Sequence, residues 1–221
     1  MFLKFLGVYL HLNKLHFMRE KILDTTGKMF LNYGFKSVTM DDIANEMGIS
    51  KKTIYKYFQN KVDLVDASTD FVQKTIDSTI KEITALKLNA IEENFAIKKV
   101  FQNMFKKAKT SPMFQLKKYY PETFSKLMNH KICSFNDCVM DNLERGINEK
   151  LYRDNIDKET IMKFYFLLIF GFHESETFSK KTNDIIKTEM QILEYHTRAI
   201  ATMYGISVLE QELINYKNKA S

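Results

Sequence analysis

The apolar positions of this chain recur every three or four residues along nearly its whole length, and the strict two-residue alternation of a half-buried strand is not found. Ile22, Leu23, Thr26, Met29, Phe30 and Tyr33 fall on one face at helical spacing, and Gly34 follows as a residue able to adopt the left-handed conformation that ends helices. The pattern predicts a first helix over about 18–33. Beyond the link from Phe35 to Val38, Thr39 and Asp42 have the spacing of a capping box, and Ile43, Ala44 and Met47 point to one side of a short second helix ending at Gly48. Ser50 caps a third helix, KKTIYKYF over 51–58, with Ile54 and Phe58 as its apolar pair. Asn60 with Asp63 repeats the cap and opens a long fourth helix that carries Leu64, Val65, Phe71, Ile76, Ile80 and Ile83. Further helices are expected at about 91–109, 113–119, 121–150, 157–179 and 183–204, followed by a frayed helical tail. The segment Phe164–Phe172 is apolar all round its helix, so it needs its own domain on one side and a partner on the other.

Composition agrees with helices. The 221 residues include 7 Gly and 2 Pro, roughly a third of average usage, which disfavours an all-β chain. Apolar residues at 45% and charged residues at 27% describe a globular protein, and no apolar run is long enough to span a bilayer. Cys133 and Cys138 match no zinc spacing and are expected to be reduced core residues; the histidines His130, His173 and His196 are dispersed, so neither a metal nor a cofactor is expected. No glycine-rich phosphate loop or nucleophile elbow points to an enzyme. The opening MFLKFLGVYLHLNKLHF resembles a signal peptide only superficially. It lacks a small-residue cleavage site, and His11, Asn13 and Lys14 interrupt its apolar run. A cytoplasmic protein with no membrane partner is expected, with Met18 as a plausible start and 1–17 as an N-terminal extension.

The net charge of +6 is uneven: residues 1–65 carry ten basic and six acidic side chains, and 98–131 carry nine and one. Such a distribution suits a polyanion without naming it. The basic run 98–131 reads as the solvated face of helices. Residues 39–58, however, have the layout of a helix-turn-helix: a positioning helix, a glycine turn and a second helix with Lys51, Lys52, Thr53, Tyr55, Lys56 and Tyr57 outward. Four lysines and no acid lie between 51 and 61, so Asp41, Asp42 and Glu46 are expected to face away from nucleic acid.

The run ILDTTGKMFLNYGFKSVTMDDIANEMGISKKTIYKYFQNKVDL, within Lys21–Leu64, resembles the N-terminal DNA-binding domain of the tetracycline-repressor (TetR) family. The likeness rests on Phe30 with Gly34-Phe35, on Val38 to Ala44, on the turn Gly48-Ile49-Ser50 and on Thr53-Ile54-Tyr55-x-Tyr57-Phe58-x-Asn60-Lys61. A fainter echo is Gly146-Ile147 followed by Leu151-Tyr152-Arg153-Asp154. The resemblance implies an all-α fold, with a three-helix helix-turn-helix domain (18–64) and a helical effector-binding and dimerisation domain (65–221). It implies a homodimer that binds a palindromic double-stranded DNA operator and is released by a small molecule, here apolar or aromatic. By matching position, Lys51, Lys52, Thr53 and Tyr55 approach base edges, and Thr39, Tyr57 and Lys61 grip phosphates. Asp41 departs from a phosphate-contacting position. The last two predicted helices would form the dimer interface, and the long fourth helix would couple the two domains. The alternative is an architectural DNA binder of the same fold without a small-molecule switch.

Overall fold

The computed structural model describes residues 2–107, 111–175, 177–178 and 182–220. Among these described residues ten helices follow one another: α1 Phe2–Tyr33, α2 Met40–Met47, α3 Lys51–Tyr55, α4 Lys61–Ala85, α5 Ala90–Phe105, α6 Pro112–Tyr119, α7 Pro121–Asn148, α8 Lys158–Glu174, α9 Thr182–Ile200 and α10 Met203–Ala220. The only β-type pairing among the described residues is an isolated bridge between Tyr152 and Ala201. The expected all-α class is what the chain adopts.

Several helix limits differ from those expected. Helix α1 runs back to Phe2 without a break, whereas among the residues whose side chains are described the apolar stripe that packs on the core begins at Met18. Helix α3 stops at Tyr55, because Lys56 and Tyr57 bond back to Thr53 and Ile54 in tight turns that swing Phe58 into the core. The C-terminal turns predicted for the helices at 91–109 and 157–179 are absent or fall partly on Ala108, Lys109, Glu176 and Ser179, outside the described residues. The frayed tail is instead the packed helix α10. Thr202 separates it from α9: its backbone N–H donates to Leu151 O at 2.9 Å, its hydroxyl donates to Lys150 O at 2.7 Å, and the same oxygen accepts from Gly205 N at 3.0 Å.

Two apolar cores result. The N-terminal core gathers Ile22, Phe30, Phe35, Ile43, Ile54, Phe58 and Leu64 from α1 to α4, and α6 adds Leu116 to it. The C-terminal core collects Ile91, Leu143, Tyr152, Leu193, Ile200 and Leu209 from α5, α7, α9, α10 and the 151–152 link. That link is held by polar side chains as well. Asn142 donates to Ala90 O at 2.9 Å and accepts from Asn94 at 3.0 Å and from the buried Tyr152 hydroxyl at 3.2 Å. Helix α4 contributes Leu64 and Val65 to the N-terminal core and packs on α1, α5 and α7, so it runs from that core to the helices of the C-terminal region.

Candidate nucleic-acid interface and inner cavity

The turn between α2 and α3 is set by local chemistry. Gly48 sits at φ 63°, a left-handed conformation costly to a residue with a Cβ. Its N–H bonds to Asn45 O at 3.1 Å and that of Ile49 to Ala44 O at 3.0 Å, the paired bonds that close a helix end with glycine. Ser50 then caps α3 by accepting from Thr53 N at 3.1 Å, a cap contributing about 1 kcal/mol. At the other end of α2, Thr39 and Asp42 form the expected capping box: Thr39 Oγ1 accepts from Asp42 N at 3.1 Å, and Asp42 Oδ2 accepts from Thr39 N at 2.8 Å. Hydrogen bonds from the Thr39 side chain and backbone hold the Asp42 carboxyl below its ordinary range.

On this frame Lys51, Lys52, Tyr55 and Lys56 are exposed, with Tyr55 at 46%, whereas Ile54 and Phe58 are buried. Thr53 and Tyr57 are half-buried, a departure from the outward set expected. Thr53 shares its hydroxyl with Ser50 at 2.9 Å, and Tyr57 packs against the N-terminal core. Thr39 is exposed, but its hydroxyl donates to Asp42 Oδ2 at 2.7 Å, so its one donor is already used. Lys61 is half-buried and donates to Lys36 O at 3.0 Å. Burial pulls its pKa down while the charge of Asp42 opposes that.

The acids of α2 do not all turn away. Asp41 accepts from Lys51 at 2.8 Å across the helix pair, and this hydrogen bond raises the lysine's pKa. An exposed pair of this kind adds little stability, but it neutralises one of the exposed cations of α3. Neither the pairing of Lys51 nor the tether of Lys61 has a signal in local spacing, since each partner lies ten or more residues away.

A cavity of about 190 Å³ lies between α4, α5, α7, α8 and α9. Its walls are mainly isoleucine and phenylalanine, with Tyr165 and Met113, and α4 and α9 contribute to it alongside α5, α7 and α8. Phe135 anchors one wall, with ring centroids 5.6 Å from Phe166 and from Phe170. A second cavity, of about 50 Å³, lies between α1, α4 and α6, and the two share Gln73, Ile76, Pro112 and Met113 as walls.

Three charged or titratable side chains from separate helices meet in the larger cavity. Lys98 of α5 donates to Glu189 Oε2 of α9 at 2.6 Å, and His173 Nε2 of α8 lies 2.8 Å from Glu189 Oε1. Burial alone would raise the Glu189 carboxyl, but the hydrogen bond of His173 and the charge of Lys98 outweigh it and hold it at about 2. Cys138 lines the same space, and burial pushes its thiol up to about 11. His196, stacked on the Tyr165 ring at 3.9 Å, is held down at about 4 by burial. The side chain of Cys133 lies outside the described residues. Among the described residues no group of three or more His, Cys, Asp or Glu is placed to hold a metal, and no helix is long and apolar enough to cross a membrane.

The surface and the cavity are joined by α6. Its Gln115 Oε1 accepts from Phe35 N at 3.0 Å, just after the Gly34 stop of α1, where φ is 97°. Lys36 stands 5.0 Å over the Tyr119 ring. The residues that end α1 are therefore held by the helix whose first turn, Pro112 and Met113, walls both cavities.

Residues 22–68 match the family of bacterial regulatory proteins, tetR family. The chain is similar to the biofilm operon icaADBC HTH-type negative transcriptional regulator IcaR of Staphylococcus epidermidis, at 22% identity over 74% of this chain and 86% of that protein. Among solved structures it is similar to a transcriptional regulator from Cytophaga hutchinsonii, with a TM-score of 0.66 and 19% identity over 83% of this chain and 98% of the other. A TetR-family regulator from Agrobacterium tumefaciens gives 0.64 and 18%, over 83% and 97%. Likeness at this identity shows a shared fold.

Proposed function

We propose, from the premise that this chain is a transcriptional regulator of the TetR family, that it is a cytoplasmic repressor released from a palindromic operator by a small apolar or aromatic molecule held in the larger cavity. Lys51, Lys52, Thr53 and Tyr55 are assigned to base edges and Thr39, Tyr57 and Lys61 to phosphates. Residues 18–64 are the DNA-binding domain, 65–221 the effector-binding and dimerisation domain, and 1–17 an N-terminal extension. The exposed positions of Lys51, Lys52 and Tyr55 support the first group. For Thr39 and Lys61 the reading requires that existing hydrogen bonds to Asp42 and Lys36 be exchanged or shared on binding.

One observation carries the switch: the larger cavity and the helix that holds the Gly34-Phe35 corner share the walls Pro112 and Met113. A ligand that prefers one packing of those walls tilts α6 and α4 together and moves the recognition surface, and coupling of this kind is typically about 1–3 kcal/mol. The cavity also favours this reading over an architectural binder, which has no use for one. Dimerisation is supported by α8, where Phe164 and Leu167 are 57% and 64% exposed in the single chain. A two-fold dimer sets two recognition helices about one DNA turn apart.

The test is to select bound sequences from a random DNA pool with the full chain, then screen small molecules for release of the recovered site. A two-fold symmetric site and at least one releasing molecule that competes for the cavity are expected. Recovery of unrelated sequences, or a site that no cavity-bound molecule releases, would leave the architectural reading in its place.

A further inference from the structure

The larger cavity is apolar over most of its surface, so the few polar groups in it decide which ligand it accepts. Lys98 is 8% exposed and Glu189 also 8%, and each comes from a different helix. A buried ion pair is weak evidence for stability, because desolvation offsets most of its attraction. Its chemistry toward a ligand is more informative. The ammonium of Lys98 has three N–H donors, and among the described residues Glu189 is the one acceptor it reaches. Both Glu189 oxygens are already engaged, one by Lys98 and one by His173. The pair thus offers donors and has little acceptor capacity left.

Gln73 of α4, a wall residue shared with the smaller cavity, holds a second unmet polar group. Gln73 is 6% exposed and donates through Nε2 to Asp77 Oδ1 at 2.7 Å. A carboxylate neighbour fixes which end of the amide faces it, so Oε1 points the other way. That oxygen is buried without a hydrogen-bond partner among the described residues. Leaving such an acceptor unmade costs about 1–3 kcal/mol.

Charge decides between an ionised and a neutral ligand. The carboxylates of Asp77 and Glu189, the single ammonium of Lys98 and the imidazole of His173 line one low-dielectric space, with His130 Nε2 2.9 Å from Asp77 Oδ2 at its edge. A ligand carboxylate would compete with Glu189 for Lys98 while near two like charges, and a ligand ammonium would be repelled by Lys98 itself. An uncharged oxygen meets neither penalty. Cys138, its thiol kept protonated by burial, offers no thiolate for covalent capture.

Resting on the reading of this cavity as the effector site, we propose that it takes an uncharged aromatic or apolar molecule carrying a carbonyl or hydroxyl group, whose oxygen accepts a hydrogen bond from Lys98 Nζ.

The test uses the full chain and four naphthalenes that differ only at one position: 2-acetylnaphthalene, 2-ethylnaphthalene, 2-naphthoate and 2-naphthylmethylammonium. Calorimetry gives affinity, and the infrared carbonyl band of the bound ketone reports its hydrogen bond. The ketone should bind more tightly than either ion, with its band shifted to lower frequency. In Lys98→Met its affinity should fall about tenfold and the shift should vanish, while the ethyl compound is unaffected. Should the single variant fold poorly with Glu189 unpaired, Lys98→Met/Glu189→Gln should give the same pattern. Tighter binding of the carboxylate or the ammonium, or a ketone indifferent to Lys98, overturns the assignment. Failure of all four to bind overturns it together with the cavity as a ligand site. A ketone that binds through Lys98 and leaves DNA affinity unchanged upholds the ligand class and contradicts the regulatory reading alone.

Discussion

The N-terminal core around Phe30, Ile43, Ile54 and Phe58 is made of side chains 0–2% exposed, with the small hydroxyls of Thr26 and Ser68 as its buried polar groups and only the smaller cavity, of about 50 Å³, beside Phe30. The C-terminal region, by contrast, buries Glu93, Lys98, Asn142, Glu189 and His196 among its apolar residues and leaves a cavity beside them. The first is built to hold a surface in one shape. The second keeps groups whose burial costs free energy and space that closer packing would fill, a combination that suits a region meant to change on binding.

The sharpest way to break this contrast is to remove one aromatic ring from each region. Phe30→Ala should cost about 3–5 kcal/mol in urea unfolding and abolish DNA binding. Phe170→Ala, at a half-buried wall of the larger cavity, should cost less than half as much. Equal losses would mean that the two regions are packed alike.

The buried ionisable groups give the contrast a pH signature of about 3 kcal/mol for each shift of two to three units. His196 is held at about 4 against an ordinary value of 6.5. Its folded form therefore resists the proton that the unfolded chain takes up, and stability is lost as pH falls from 6.5 toward 4. Glu189 is held at about 2 against an ordinary value of 4.5. Its contribution is present above 4.5 and is lost as pH falls toward 2. Melting curves across this range should show two successive losses, with His196→Leu removing the upper and Glu189→Gln the lower. An unchanged profile in either variant would show that its group is not the source.

The exposed face of α8 offers a smaller test. Leu167→Glu should weaken self-association by about 2 kcal/mol or more in sedimentation equilibrium and lower operator affinity with it. A variant that remains dimeric places the interface elsewhere. On the recognition surface, Lys52→Ala should cost about 1–3 kcal/mol on the selected site and less on random DNA. Lys61→Ala should weaken both alike. Identical specificity ratios would erase the division between base and phosphate contacts. The smallest expected effect is Ser50→Ala, about 1 kcal/mol of stability from one cap.

What was legible in the sequence follows the same division. The caps at Thr39, Ser50 and Asn60 and the stops at Gly34 and Gly48 involve partners within a few residues, so spacing alone reveals them. The pairings of Lys98 with Glu189 and of Gln115 with Phe35 span 91 and 80 residues, and no local pattern encodes them. Helix α10 is expected only as a frayed helical tail, because the fixing of its start depends on Thr202 bonding to Lys150 and Leu151, again across the chain. A wet surface for the basic run 98–131 fits Lys99, Lys117 and Lys118 but not the buried Lys98.

The central claim is that the cavity and the recognition surface share one conformational equilibrium, and reciprocal linkage tests it most directly. The affinity of a cavity ligand should be measured by calorimetry on the free protein and on the protein saturated with its selected DNA. Binding should be weaker on the DNA complex, by the same factor by which that ligand weakens DNA binding. Equal ligand affinity in the presence and absence of DNA would contradict the account.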